Sequence, residues 1–179
     1  MKIGVMSDSH GQTDNAREAG AFLADELKAD LIVHLGDDIA DAQALDGLGP
    51  RVIAIPGVFS DQYRDPAVIN RVRTEWDGWR VLLSHTPEAH KNDLPHDPDP
   101  QALVRAGQVD LLLHGHTHTP FVSEKAGVVI VNPGHLKSSD TKGHGASFAC
   151  LDVHGRQLEV TVYSLTTKSV LHAEVFTRH

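Results

Sequence analysis

The fold class that the sequence predicts is α/β, a four-layer αββα sandwich of two mixed β-sheets flanked by helices, and three observations predict it. The first third of the chain alternates apolar runs with amphipathic segments in the order strand, helix, strand, helix, strand, the pattern of a parallel sheet. An Asp77-Gly78 pair between two apolar runs signals a two-residue hairpin, which makes the sheet mixed. The last third reads as strand throughout, punctuated by Gly127, Gly134, Gly145 and Gly155. With 179 residues, 40% of them apolar, the chain can fill the core of one domain spanning residues 1–179.

The elements follow in order. A continuous apolar run over about residues 2–7 suits a buried strand. After the Asp8-Ser9-His10-Gly11 turn, Thr13 or Asp14 can cap a helix whose Ala16, Ala19, Phe22, Leu23 and Leu27 recur at three-to-four spacing. The second strand, Asp30–Leu35, is broken by Gly36-Asp37-Asp38, and a short helix over Ala40–Leu48 stops at Gly47 and Gly49. The third strand, Arg51–Ile55, ends in Pro56-Gly57, and Val58–Pro66 is a loop. Val72–Trp76 and Trp79–Leu83 form the hairpin. Thr86–Pro100 has no apolar period and reads either as a lid or substrate wall or as a solvated connection. A short helix over Pro100–Ala106 precedes the strand Val109–Leu113. Phe121–Glu124, Val128–Val131, Ser147–Val153, Leu158–Leu165 and Val170–Phe176 are expected to make the second sheet.

Charge and composition narrow the function. A net charge of −8 argues against a surface that grips nucleic acid by its phosphates. No basic leader or 18-residue apolar stretch is present, so no membrane partner is expected and a cytoplasmic location is. The single cysteine, Cys150, lies in an apolar run as an inert buried thiol.

The chemistry gathers where apolar runs stop. Four of them end in side chains that bind metals: Lys2–Met6 at Asp8 and His10, Leu31–Leu35 at Asp37 and Asp38, Val81–Leu83 at His85, and Leu112–Leu113 at the Gly115-His116-Thr117-His118 turn. In an open α/β sheet such strand ends share one edge, where ligands bind. Alternate residues of a strand face opposite ways, so a turn is needed before His116 and His118 can meet, and Gly115 and Pro120 supply turn chemistry. Asp8, His10, Asp37, His85, His116 and His118 offer only nitrogen and carboxylate oxygen, which suits Mn²⁺ first, and also Zn²⁺, Fe or Ni²⁺. Six ligands exceed the need of one ion with an open position and fit two. Two divalent ions can share a bridging hydroxide and clamp a phosphoryl group, so phosphoester hydrolysis is the task the set best explains. Asp38 reads as a helix-capping or ligand-supporting carboxylate. Of the remaining histidines, His34 and His114 read as core residues, His90 and His96 as exposed loop residues, and His154, His172 and His179 as exposed residues of late strands or the terminus. His135 and His144 flank a loop from which they could line the site.

At these residues the sequence resembles the calcineurin-like metallophosphoesterases, and among them the small phosphodiesterases of the YfcE type. Asp8-Ser9-His10, Gly36-Asp37, the turn at Gly57, the lone His85, Gly115–His118 and Asn132-Pro133-Gly134 carry the resemblance, in the family's order. It implies that Asp8, His10 and His118 hold one ion, that His85 and His116 hold the other, and that Asp37 bridges them. The chain departs from the pattern at Val58-Phe59, where the family has a ligating asparagine followed by histidine or cysteine. Asp61, or Ser60, is the candidate replacement ligand, and Ser60 and His135 are candidate substrate contacts. Without a histidine at 59, activated aryl diesters are expected to react better than alkyl monoesters. The expected substrate is a small phosphoester and the expected activity a phosphodiesterase. Alternatives are a phosphomonoesterase or nucleotide hydrolase on the same site, a nuclease, which the acidic charge disfavours, and a non-catalytic scaffold, because the resemblance extends to the retromer subunit Vps29.

Overall fold

The computed structural model describes residues 1–178; His179, expected as an exposed histidine, lies outside them. In chain order the elements are β1 (Lys2–Met6), α1 (Thr13–Asp25), β2 (Leu31–His34), a 3-10 helix (Ile39–Leu45), β3 (Arg51–Ala54), a second 3-10 turn (Asp61–Arg64), β4 (Arg71–Trp76), β5 (Trp79–Ser84), α2 (Pro100–Arg105), β6 (Leu111–Leu113), β7 (Phe121–Lys125), β8 (Val128–Asn132), β9 (Ser147–His154), β10 (Gln157–Ser164) and β11 (Val170–Thr177). One sheet runs β11-β10-β9-β1-β2-β3 and the other β4-β5-β6-β8-β7. Both are mixed: β1 lies parallel to β2 and antiparallel to β9, and β5 and β6 are parallel while β4 and β7 run against their neighbours.

Period-two side-chain alternation builds the space between the sheets. Ile3 and Val5, then Leu31 and Val33, face Val81, Leu83, Leu111, Leu113, Val129 and Val131 in one buried cluster. The opposite faces of the same strands are also apolar. Met6, Ile32 and Phe148 pack on Ala16, Ala19 and Leu23 of α1, and Leu82 and Leu112 pack on Leu103 and Val104 at α2. These give the helix, sheet, sheet, helix layering. Among the described residues no helix is long and apolar enough to cross a membrane.

Three expectations change. The last strands do not make the second sheet: β9, β10 and β11 join β1, and the hairpin β4-β5 founds the second sheet instead of extending the first. The reason lies in burial. Ser147–Leu151 of β9 is buried on both faces, which requires a central position under α1, whereas β4 alternates exposed and covered residues as an edge strand does. Neither Thr13 nor Asp14 caps α1; the turn from Ser9 places Gln12 there, and its side chain accepts from Ser138 Oγ at 2.8 Å. The stretch after β2 is a 3-10 helix, shorter than expected, capped by Asp38 through Ala40 N at 3.0 Å.

Candidate metal centre

Turn geometry solves the problem of aiming alternate residues at one point. Asp8, His10, His116 and His118 all adopt positive φ, between 49° and 65°, a conformation that L-residues seldom hold without reason. Each turn is tied down. The Ser9 hydroxyl donates to Asp41 Oδ2 at 2.6 Å, Gly11 N donates to the same oxygen at 2.8 Å, and His34 Nε2 lies 3.0 Å from Ser9 Oγ. Asn132 anchors the other turn by donating to Gly115 O and Thr117 Oγ1, both at 2.9 Å, while its own oxygen receives Gly134 N at 2.8 Å. Gly115 is required by contact: a Cβ there would lie 1.8 Å from Ser7 Oγ and 2.6 Å from Asp8 Oδ2.

Two acid–imidazole groups result, Asp8 with His10 and His118, and Asp8 with Asp37 and His85. Asp8 is common to both, and its Oδ1 lies 3.4 Å from His118 Nε2 and 4.0 Å from His85 Nε2. Burial would raise the Asp8 carboxyl, but the His118 hydrogen bond and the nearby His85 hold it below the usual carboxylate range. His116 donates its backbone N–H to Asp8 Oδ2 at 2.8 Å, and its ring centroid is 5.1 Å from that of His85. Burial, then the neighbouring His85, lowers the His116 imidazole to about 4, so it is neutral and able to ligate at pH 7.

The tautomers fit metal ions. His85 Nδ1 faces Leu35 O at 2.8 Å and must donate to it, which leaves the buried Nε2 as a bare acceptor with no hydrogen-bond partner among the described residues. His118 Nδ1 bonds Asp140 Oδ1 at 3.0 Å and His10 Nδ1 bonds Asp37 Oδ2, which leaves each ring's Nε2 facing the group. The hydrogen bonds to Asp8 and Asp140 raise the His118 imidazole, favouring a proton where a bound ion would sit. Those two Nε2 atoms meet at 3.0 Å. Two lone pairs beside a carboxylate repel one another unless a proton or a cation lies between them, and the nitrogen–oxygen donor set suits a divalent transition ion.

All six expected ligands therefore come to one edge, five of them in the two groups and His116 beside them, its ring next to that of His85. Asp61 does not: it is exposed at the start of the second 3-10 turn and joins neither group. Ser60 donates to Gly57 O at 2.8 Å. His135 is buried 5.5 Å from the His118 ring, and both its nitrogens bond backbone, Nε2 to His144 O at 3.0 Å and Nδ1 from Lys137 N at 3.1 Å, which leaves none for a substrate. His144 itself is exposed. Val58 is fully buried and Phe59 is 67% exposed. His34 and His114 are buried as expected, but His90, read as a solvent-exposed loop residue, is half-buried with its ring 6.0 Å from His116 and 5.5 Å from Phe59. The packing of its loop against the Val58-Phe59 turn, where Asn92 Nδ2 donates to Val58 O at 2.8 Å, draws it in. Sequence reasoning also passes over Asp41 and Asp140, because nothing in local periodicity marks a carboxylate that supports a distant histidine.

Phosphodiesterase MJ0936 of Methanocaldococcus jannaschii is 25% identical over 147 residues, covering 75% of this chain and 83% of its own. Phosphodiesterase YfcE of Escherichia coli is 27% identical over 169 residues, covering 85% and 88%. Among solved structures, Vps29 of Chaetomium thermophilum superposes with a TM-score of 0.75 over 99% of both chains at 20% identity, a likeness of fold alone. Residues 1–156 match the calcineurin-like phosphoesterase superfamily domain, a span that contains every candidate ligand. The chain is therefore a member of the calcineurin-like phosphoesterase superfamily.

Proposed function

We propose that the chain is a metal-dependent phosphodiesterase with a dinuclear site, Mn²⁺ being the preferred ion. The observation that carries this reading is the convergence of imidazole Nε2 atoms on a shared carboxylate, Asp8, with the buried Nε2 of His85 left without a hydrogen-bond partner among the described residues, at the edge where four strands end. Asp8 would be shared by the two ions, with His10 and His118 at one, Asp37 and His85 at the other, and His116 beside His85. Ions held there would supply an activated water and offset the negative charge of the phosphoryl group. The chain's own residues do the rest. Asp37 orients His10, Asp140 orients His118 and Leu35 O orients His85, so the ligating nitrogens are aimed before any ion arrives. At the rim, Val58 and Phe59 themselves offer neither ligand nor acid, so aryl diesters, whose leaving groups need little help from a proton, are the expected substrates.

The test is hydrolysis of an aryl phosphodiester by protein stripped with chelator and resupplied with Mn²⁺. Turnover that depends on the metal, exceeds that of an alkyl monoester and is lost in Asp37→Asn is expected; equal turnover of the alkyl monoester would sink the diester assignment. A non-catalytic scaffold is the second reading, favoured by the donor-free Val58 and by Val170, Leu171 and Val175, each more than half exposed on the edge strand β11. Absence of turnover with every metal would move that reading forward.

A further inference from the structure

The segment Thr86–Pro100 is held to the body by buried polar contacts. Arg71, whose side chain is fully covered, donates to both oxygens of Asp93 at 2.9 and 3.0 Å, to Ser84 Oγ at 3.0 Å and to Pro98 O at 3.1 Å. Asp93 in turn accepts from Tyr63 Oη at 2.6 Å and from His90 N at 2.8 Å, and Asn70 Nδ2 donates to Asp97 at 2.8 Å. Residue 90 is therefore fixed in place by a buried cluster. Its ring is fixed as well: Phe59 packs edge-on against it at 5.5 Å, and Asn92 N donates to His90 Nδ1 at 3.2 Å. A ring whose Nδ1 accepts a backbone N–H carries its own hydrogen on Nε2 in the neutral form, so Nε2 is a donor and not a metal ligand. No hydrogen bond among the described residues uses that Nε2, and the ring stands 6.0 Å from that of His116, which lies beside His85.

We propose that His90 is a substrate-positioning residue, donating from Nε2–H to a non-bridging phosphoryl oxygen of an ester bound beside His85 and His116. This rests on the phosphoesterase reading above. It also accounts for the turn at Val58-Phe59: with the family's polar pair absent there, the neighbouring segment supplies the polar contact, and Phe59 serves as the surface that orients the donor.

The experiment compares wild type, His90→Ala and His90→Gln in three readouts: Mn²⁺ bound at equilibrium, affinity for inorganic phosphate in the Mn²⁺-loaded protein, and KM and kcat for an aryl diester. A hydrogen bond to a charged oxygen predicts about a ten- to hundredfold weaker phosphate affinity in His90→Ala, a matching rise in KM, partial rescue by His90→Gln, which keeps an N–H donor, and unchanged Mn²⁺ content. Unchanged phosphate affinity in His90→Ala overturns the proposal. So does a loss of bound Mn²⁺, which would make His90 a ligand, and so does a wild type that binds no phosphate. If the wild type binds phosphate through His90 but turns over no ester, the positioning role stands and the hydrolase reading fails.

Discussion

Asp140 lies 22 residues beyond His118 in the chain, yet it fixes which nitrogen of that imidazole is free. Its side chain is 3% exposed and is itself held by Lys137 Nζ at 3.2 Å and Lys142 N at 3.1 Å. The His118 hydrogen bond keeps the Asp140 carboxyl well below its usual range, so it stays an acceptor at any working pH. Asp140→Ala should weaken Mn²⁺ binding about 10–100-fold, read by metal titration of the stripped protein. His34 acts at the same scale on stability. Burial lowers its imidazole to about 4 from 6.5, so between those values the unfolded chain binds a proton that the folded chain refuses. Its contribution is complete above pH 6.5 and is lost as pH falls toward 4, a decline on the order of 3 kcal/mol. Burial shifts His114 and His116 the same way, so urea titrations across that window should fall steeply in wild type and less steeply in His34→Gln, whose amide can still donate to Ser9. The six candidate ligands were legible because each closes an apolar run. Asp41, Asp140 and the burial of His90 were not, because each depends on where a loop returns.

Elements place these residues. The parallel strands β1, β2, β5 and β6 all deliver their C-terminal turns to one edge, and the positive-φ residues convert a strand's alternation into convergence. The segment between β5 and α2 is held to the body by a different device, its buried Arg71–Asp93 pair. Removing one partner strands the other charge in the interior, so Asp93→Ala should cost about 3–5 kcal/mol in urea unfolding. A cost under 1 kcal/mol would mean that solvent already screens the pair. Asp77-Gly78 was readable from two residues because that turn demands positive φ at both, and both have it, at 46° and 83°. Which sheet the hairpin belongs to was not readable. Alternation reports that a strand has a buried face, not which strand lies beside it.

For the whole molecule, the two-sheet α/β architecture was legible because the order of apolar runs and the glycine spacing depend on local chemistry. The division of strands between sheets depends on long-range pairing, and only the two-sided burial of β9 hints that it threads between β10 and β1. That threading binds the chain's last third to its first strand. Leu151, fully buried in the core between the sheets, therefore supports β1 and the Asp8 turn that β1 carries. Leu151→Ala should destabilise the protein by about 2–5 kcal/mol, measured by chemical denaturation.

The central claim is that one carboxylate, Asp8, serves two ligand groups. Equilibrium dialysis of the chelator-stripped protein against Mn²⁺ tests it most directly, with wild type and Asp8→Asn side by side. The account predicts close to two bound equivalents in wild type and less than one in Asp8→Asn while the variant remains folded. No bound Mn²⁺ in wild type, or the same content in both proteins, would contradict it.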